Sequence, residues 1–176
     1  MSNNPNTMPL EELILTSLLK KIITIFCLIL VLTAGTFAGN TEAASRVSSS
    51  EIVADAKSLM GIKYRYGGTT KAGFDCSGFL GYIYKQNGVS LSRTAAGMYS
   101  TGKSVSKANL AVGDLVFFNT TGRGVSHAGM YIGNGNFIHS ASSKGVSIAK
   151  INDPYYWGKK YVGAKRVATV STVAIK

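Results

Sequence analysis

Past residue 113 the apolar residues of this chain change period. Upstream they recur at helical spacing. Downstream come short runs rich in β-branched and aromatic residues: "GDLVFF" (113–118), "HAGMYIG" (127–133), "NFIHS" (136–140), "GVSIAKI" (145–151) and "YVGAKRV" (161–167), parted by turns containing Gly or Asn. Helices first and strands afterwards describe an α+β domain, with helices packed on a mainly antiparallel sheet of about five to six strands.

The upstream segments have their own punctuation. "SSSEIVADAKSLMG" reads as a helix in which Ser48 and Glu51 form a capping box, Ile52, Val53, Ala56, Leu59 and Met60 make the apolar stripe, and Gly61 ends it. "YRYGGTTKAGFD" reads as a loop. From Cys76 the spacing is helical again, with Phe79, Leu80, Ile83 and Tyr84 on one face, Gly88 just past the end, and Asp75 or Ser77 serving the amino end. "LSRTAAGMYSTG" supports a further short helix.

The amino-terminal region has the parts of a secretory signal: Lys20 and Lys21, an apolar run from Ile22 to Leu32, then small residues permitting cleavage after Ala38 or Ala43. The run falls short of the roughly 18 residues of a spanning helix. Residues 1–38 are therefore expected to be a signal peptide, with an uncleaved anchor as the alternative, and no stable membrane span is expected after cleavage. Residues 39–47 follow as a linker, 48–168 as one catalytic-sized domain and 169–176 as a tail. The product would be exported, to the periplasm or beyond the cell, and monomeric.

Cleavage would remove Cys27 and leave Cys76 alone in an oxidising compartment, which excludes an internal disulfide. A lone exported cysteine is a buried small hydrophobe or a reactive thiol. Cys76 would occupy the first turn of a buried helix, where free N–H groups and the helix dipole favour a thiolate. The chain has two histidines, His127 and His139, both in the strand region. A helix-start cysteine facing a sheet histidine is how thiol hydrolases assemble their nucleophile and base. Zinc is disfavoured, because no closely spaced ligand pair exists, and neither a metal nor an organic cofactor is implied. The net charge of +11 is scattered and favours any polyanion without choosing one; with no nucleic-acid-binding signature, nucleic acid is not an expected partner.

"YRYGG…FDCSGFLGYIY…GDLVFF…SHAGMYIGNGNFIHSAS" resembles the NlpC/P60 family of bacterial cell-wall cysteine peptidases, over about residues 50–167. The resemblance implies a papain-like fold with Cys76 as nucleophile, His127 as general base and His139 orienting His127. Tyr64 would line the site near the oxyanion position, and Asp75 and Ser77 would help bind the substrate's free amine. Tyr66 stands where many members have Trp, and simple packing is an equal account of it. The implied substrate is the peptide stem of peptidoglycan, cut either between γ-D-glutamate and the diamino acid or at the D-alanyl–diaminopimelate crosslink. The lack of an evident wall-binding repeat leans towards the crosslink branch of small Gram-negative-type enzymes. An N-acetylmuramoyl-L-alanine amidase and a catalytically idle wall-binding module are the rival readings.

The triad carries a geometric requirement. With a plain two-residue loop at Asn134-Gly135, Met130 would pair with His139, and His127 would fall on the opposite face of the sheet. A longer loop or a bulge is therefore expected, for instance one that brings Gly129 opposite His139.

Overall fold

The computed structural model describes residues 14–15, 18–21, 47–168 and 170–171. The apolar run at 22–32, Cys27, both cleavage positions, linker residues 39–46, and tail residues 169 and 172–176 lie outside the described residues. Among the described residues, no helix is long and apolar enough to cross a membrane.

Within the unit spanning 43–176, helix α1 (Ser49–Ser58) starts where the capping box puts it. Ser48 is the N-cap and accepts from the Glu51 N–H at 3.5 Å. Ile52, Ala56 and Leu59 are buried, but Met60 is 49% exposed. The helix ends at Ser58, so the last turn of the expected stripe rotates Met60 away from the core. Helix α2 (Cys76–Gln86) is shielded from solvent along Phe79, Leu80, Ile83 and Tyr84, and burial of such side chains contributes about 1.5–3 kcal/mol each. Its Tyr84 hydroxyl donates to the Gly113 carbonyl and ties the helix to the strands. A short α3 (Ala95–Tyr99) follows, capped by Thr94.

Six strands form one antiparallel sheet. In chain order they are β4 (Lys103–Val105), β5 (Leu115–Phe118), β6 (His127–Gly133), β7 (Asn136–Ala141), β8 (Gly145–Lys150) and β9 (Tyr161–Arg166), arranged β4-β9-β5-β6-β7-β8. The five strand-like runs of the sequence are all present. The addition is β4, a polar three-residue edge strand with no apolar alternation to announce it. Two minor pairings complete the set: antiparallel β2 (Thr69–Thr70) with β3 (Gly73–Phe74), inside the segment expected to be a loop, and parallel β1 (Val47–Ser48) with β10 (Val170–Ser171). α4 (Trp157–Lys160) leads into β9.

The sheet separates two apolar clusters. Leu115, Phe117, Ala128, Met130 and Ile138 pack with α1 and α2, whereas Val116, Phe118, Phe137, Ile151 and Ala164 form a smaller cluster with Trp157 against it. Because side chains alternate along a strand, His127 and His139 belong to the second face, among its aromatic rings.

Candidate active site

Asp75 starts α2 by accepting the Gly78 N–H at 2.7 Å on Oδ1, and its extended backbone (ψ 177°) turns the chain into the helix. Gly78 has no room for a side chain, since a Cβ there would lie 2.0 Å from the Gly68 carbonyl oxygen. The Gly-rich loop thus packs directly on the first turn that carries Cys76. The Cys76 side chain is partly buried and unbridged. The N–H groups of Ala128, Ser77 and Cys76 itself lie against its sulfur. Ala128 follows His127, so the Cys76 sulfur stands beside the first residues of β6.

The expected slip in register is present. Gly133 pairs with Asn136 across the tight turn, then a bulge between Tyr131 and Gly133 shifts the ladder so that Met130 faces Ile138. Both imidazoles consequently share a face, with His127 Nε2 2.8 Å from His139 Nδ1 and the rings nearly perpendicular. Trp157 closes over them, 5.2 Å from the His127 ring and 4.7 Å from that of His139, and Phe118 and Phe137 complete the wall. Asp153 holds Trp157 there by accepting the N–H groups of Tyr156 at 2.8 Å and Trp157 at 3.1 Å.

Burial governs the protonation states. It pulls His127 down to about 4 and His139, with help from the neighbouring His127 and Lys144 charges, down to about 3. It pushes the Cys76 thiol up, outweighing the surrounding N–H donors. Near pH 7 the resting site is therefore a thiol beside neutral imidazoles, not a preformed ion pair. One of the bonded ring nitrogens must donate and the other accept. If His127 is to take a proton at Nδ1, its Nε2–H donates to His139 Nδ1.

The other expected positions gather on the sulfur side. Tyr64, Tyr66, Asp75, Cys76 and Ser77 line one cavity of about 440 Å³. Burial raises the Tyr64 hydroxyl, and the nearby Cys76 adds to the effect. Tyr66 is 91% exposed, which removes packing as its explanation.

Arg93 is the residue that motif reading missed. Its guanidinium donates to both Asp75 oxygens, at 3.0 and 2.6 Å, and to Ser77 Oγ at 2.8 Å. Burial works against ionisation of Asp75, but the Arg93 bonds and charge and the Gly78 N–H overcome it, holding the carboxyl below its usual range. In the sequence Arg93 is one basic residue among many; its one local signal is its place before the Thr94 cap. Trp157, the single tryptophan, has no motif around it either.

Among the described residues, no group of three or more His, Cys, Asp or Glu side chains is arranged to hold a metal ion.

Comparison with known proteins places the chain among known sequences and folds. The chain is 51% identical over 118 residues to a Bacillus subtilis (strain 168) protein named as a probable peptidoglycan endopeptidase, LytE, covering 66% of this chain and 34% of that one. It is 46% identical over 114 residues to the Escherichia coli (strain K12) murein DD-endopeptidase MepS/murein LD-carboxypeptidase, covering 63% and 58%. A crystal structure of an NlpC/P60 family protein from Bacillus cereus superposes with a TM-score of 0.65 at 38% identity, over 69% of this chain and 41% of that one. The chain thus spans only part of the curated relatives it matches, about a third of one and under three-fifths of the other. The NlpC/P60 family profile matches residues 61–166, which takes in Cys76, both histidines and every strand of the main sheet, and the chain belongs to the NlpC/P60 family.

Proposed function

We propose that this protein is a peptidoglycan endopeptidase that hydrolyses an amide bond of the stem peptide through a thioester on Cys76. The observation that carries the reading is the buried His127–His139 hydrogen bond of 2.8 Å at the strand end where the Cys76 sulfur sits. His127 removes the thiol proton as the sulfur attacks the carbonyl, then delivers that proton to the departing amine; water hydrolyses the thioester. His139 accepts from His127 Nε2, fixing its tautomer and steadying the transient imidazolium. The N–H groups of Cys76 and Ala128, with the Tyr64 hydroxyl, supply donors for the oxyanion.

The family resemblance implies that Asp75 and Ser77 help bind a free amine, but here Arg93 already donates to both Asp75 oxygens. A substrate amine has to compete with the guanidinium, so Asp75, Ser77 and Arg93 act as a charge-balanced recognition unit. The names of the two curated relatives, a peptidoglycan endopeptidase and a murein DD-endopeptidase, support the substrate class. A secretory signal over residues 1–38 would deliver the enzyme to that substrate.

The test is digestion of defined muropeptides, crosslinked and uncrosslinked, read by mass spectrometry. Fragments ending at γ-D-glutamate or at D-alanine identify the bond and support the endopeptidase. Release of the whole stem from muramic acid would instead make it an amidase. Intact substrate in every digest would leave a wall-binding module.

A further inference from the structure

Two unlike cavities flank the junction of Cys76 and His127. The one on the sulfur side holds the Asp75–Arg93 ion pair. The other, about 570 Å³, has His127 and His139 at its base and Trp157 as a wall. Only a short partition separates them. Ser126 lines the first, Thr120 lines the second, and the Thr120 N–H donates to Ser126 Oγ at 2.8 Å.

We propose that the cavity based on His127 and His139 receives the leaving-group half of the substrate, and that Lys144 on its rim selects for a free carboxylate on that half. The proposal rests on the endopeptidase reading above and assigns a specificity residue to it. Direction comes from the chemistry: His127 must hand its proton to the departing amine, so that amine leaves on the imidazole side.

Selectivity comes from the lining. Lys144 is joined by the hydroxyls of Ser142, Ser143 and Ser147, and no Asp or Glu lines the cavity. Lys144 is exposed and takes part in no ion pair among the described residues, yet its charge reaches His139. Its backbone is held both within the turn and from outside it. The Lys144 N–H donates to Ala141 at 3.2 Å, and the adjoining Val146 both donates to the Ile62 carbonyl and accepts from the Gly61 N–H, each at 2.9 Å. The anchored turn sets where the side chain starts, and its ammonium brings a positive charge to the cavity rim.

A matching group exists on the substrate. In a diaminopimelate stem the amine released at either bond belongs to a diamino dicarboxylic acid whose side chain bears a carboxylate. Amidation of that carboxylate, or lysine in the same place, removes the charge.

The experiment uses the full chain and two purified muropeptides that differ only in whether the diaminopimelate side-chain carboxylate is free or amidated. The wild type is expected to favour the free acid about two- to fivefold in kcat/KM, carried by KM, as suits an exposed ion pair. The preference should shrink with added salt. Lys144→Ala should bring the ratio near one and Lys144→Glu should invert it. Lys150→Ala, which removes an equal charge outside the cavity, should keep the wild-type ratio. A ratio unmoved by both Lys144 substitutions, or an equal loss in Lys150→Ala, overturns the assignment and leaves the endopeptidase reading standing. If the wild type cuts neither substrate, the endopeptidase reading fails and takes the assignment with it.

Discussion

At the residue scale the site is a set of groups kept neutral until they react. Burial opposes charge on Cys76 and on both imidazoles, so in the proposed mechanism the thiolate would form during attack, with His127 as acceptor. Alkylation of Cys76 by iodoacetamide should therefore be slow at pH 5–6 and accelerate as pH rises toward the thiol range. A fast, pH-independent rate in acid would mean a resting ion pair instead. His139→Ala removes the acceptor that fixes the His127 tautomer and should lower kcat about 10²–10⁴-fold with little change in KM. Near-normal turnover would reduce His139 to a packing residue. The placement of Cys76 at a helix start and of both histidines on one sheet face was legible in the sequence, from helical spacing in one case and from strand pairing in the other. Arg93 and Trp157 were not, because each draws its meaning from a partner distant in sequence: Asp75, 18 residues away, in one case and the paired imidazoles in the other.

At the scale of elements, the bulge in β6 and the glycine before it decide whether the imidazoles meet. A Cβ on Gly129 would stand 2.5 Å from Phe137 Cδ2, 2.9 Å from the Ile138 oxygen and 3.2 Å from His139 Cβ. Gly129→Ala should thus cost about 1–3 kcal/mol in urea unfolding and also lower activity, since relief of the clash displaces His139. Unchanged stability and activity would show that the β6–β7 pair yields more easily than its packing implies. The bulge could be expected from the sequence only by adding a chemical demand, that two histidines share a face, to the arithmetic of strand pairing. Strand β4 could not be expected: its side chains are mostly exposed, and it is held by pairing to β9 rather than by an apolar pattern. Met60 shows the same limit at a helix end, where the stripe continues in sequence after the helix has stopped.

For the whole molecule, the two buried imidazoles set the pH dependence of stability. In the unfolded chain each histidine titrates near 6.5, whereas in the fold they titrate at about 4 and about 3. Between those limits the unfolded state binds more protons, so stability is full above about pH 6.5 and falls as pH drops toward the folded values. The slope is up to about 1.4 kcal/mol per pH unit for each histidine. Urea unfolding at pH 7, 6 and 5 should follow it, and His139→Gln should halve it; a flat profile would mean the rings are hydrated in solution. The net charge of +11 should hold the protein on anionic wall polymer, with retention that declines as salt rises. All of this serves a single chemical claim, that Cys76 is the nucleophile. The most direct test is turnover of a defined muropeptide by Cys76→Ala, with folding verified by its urea midpoint. The expected result is a folded protein that still binds the muropeptide and releases no fragment, whereas fragment release by the folded variant would contradict the account.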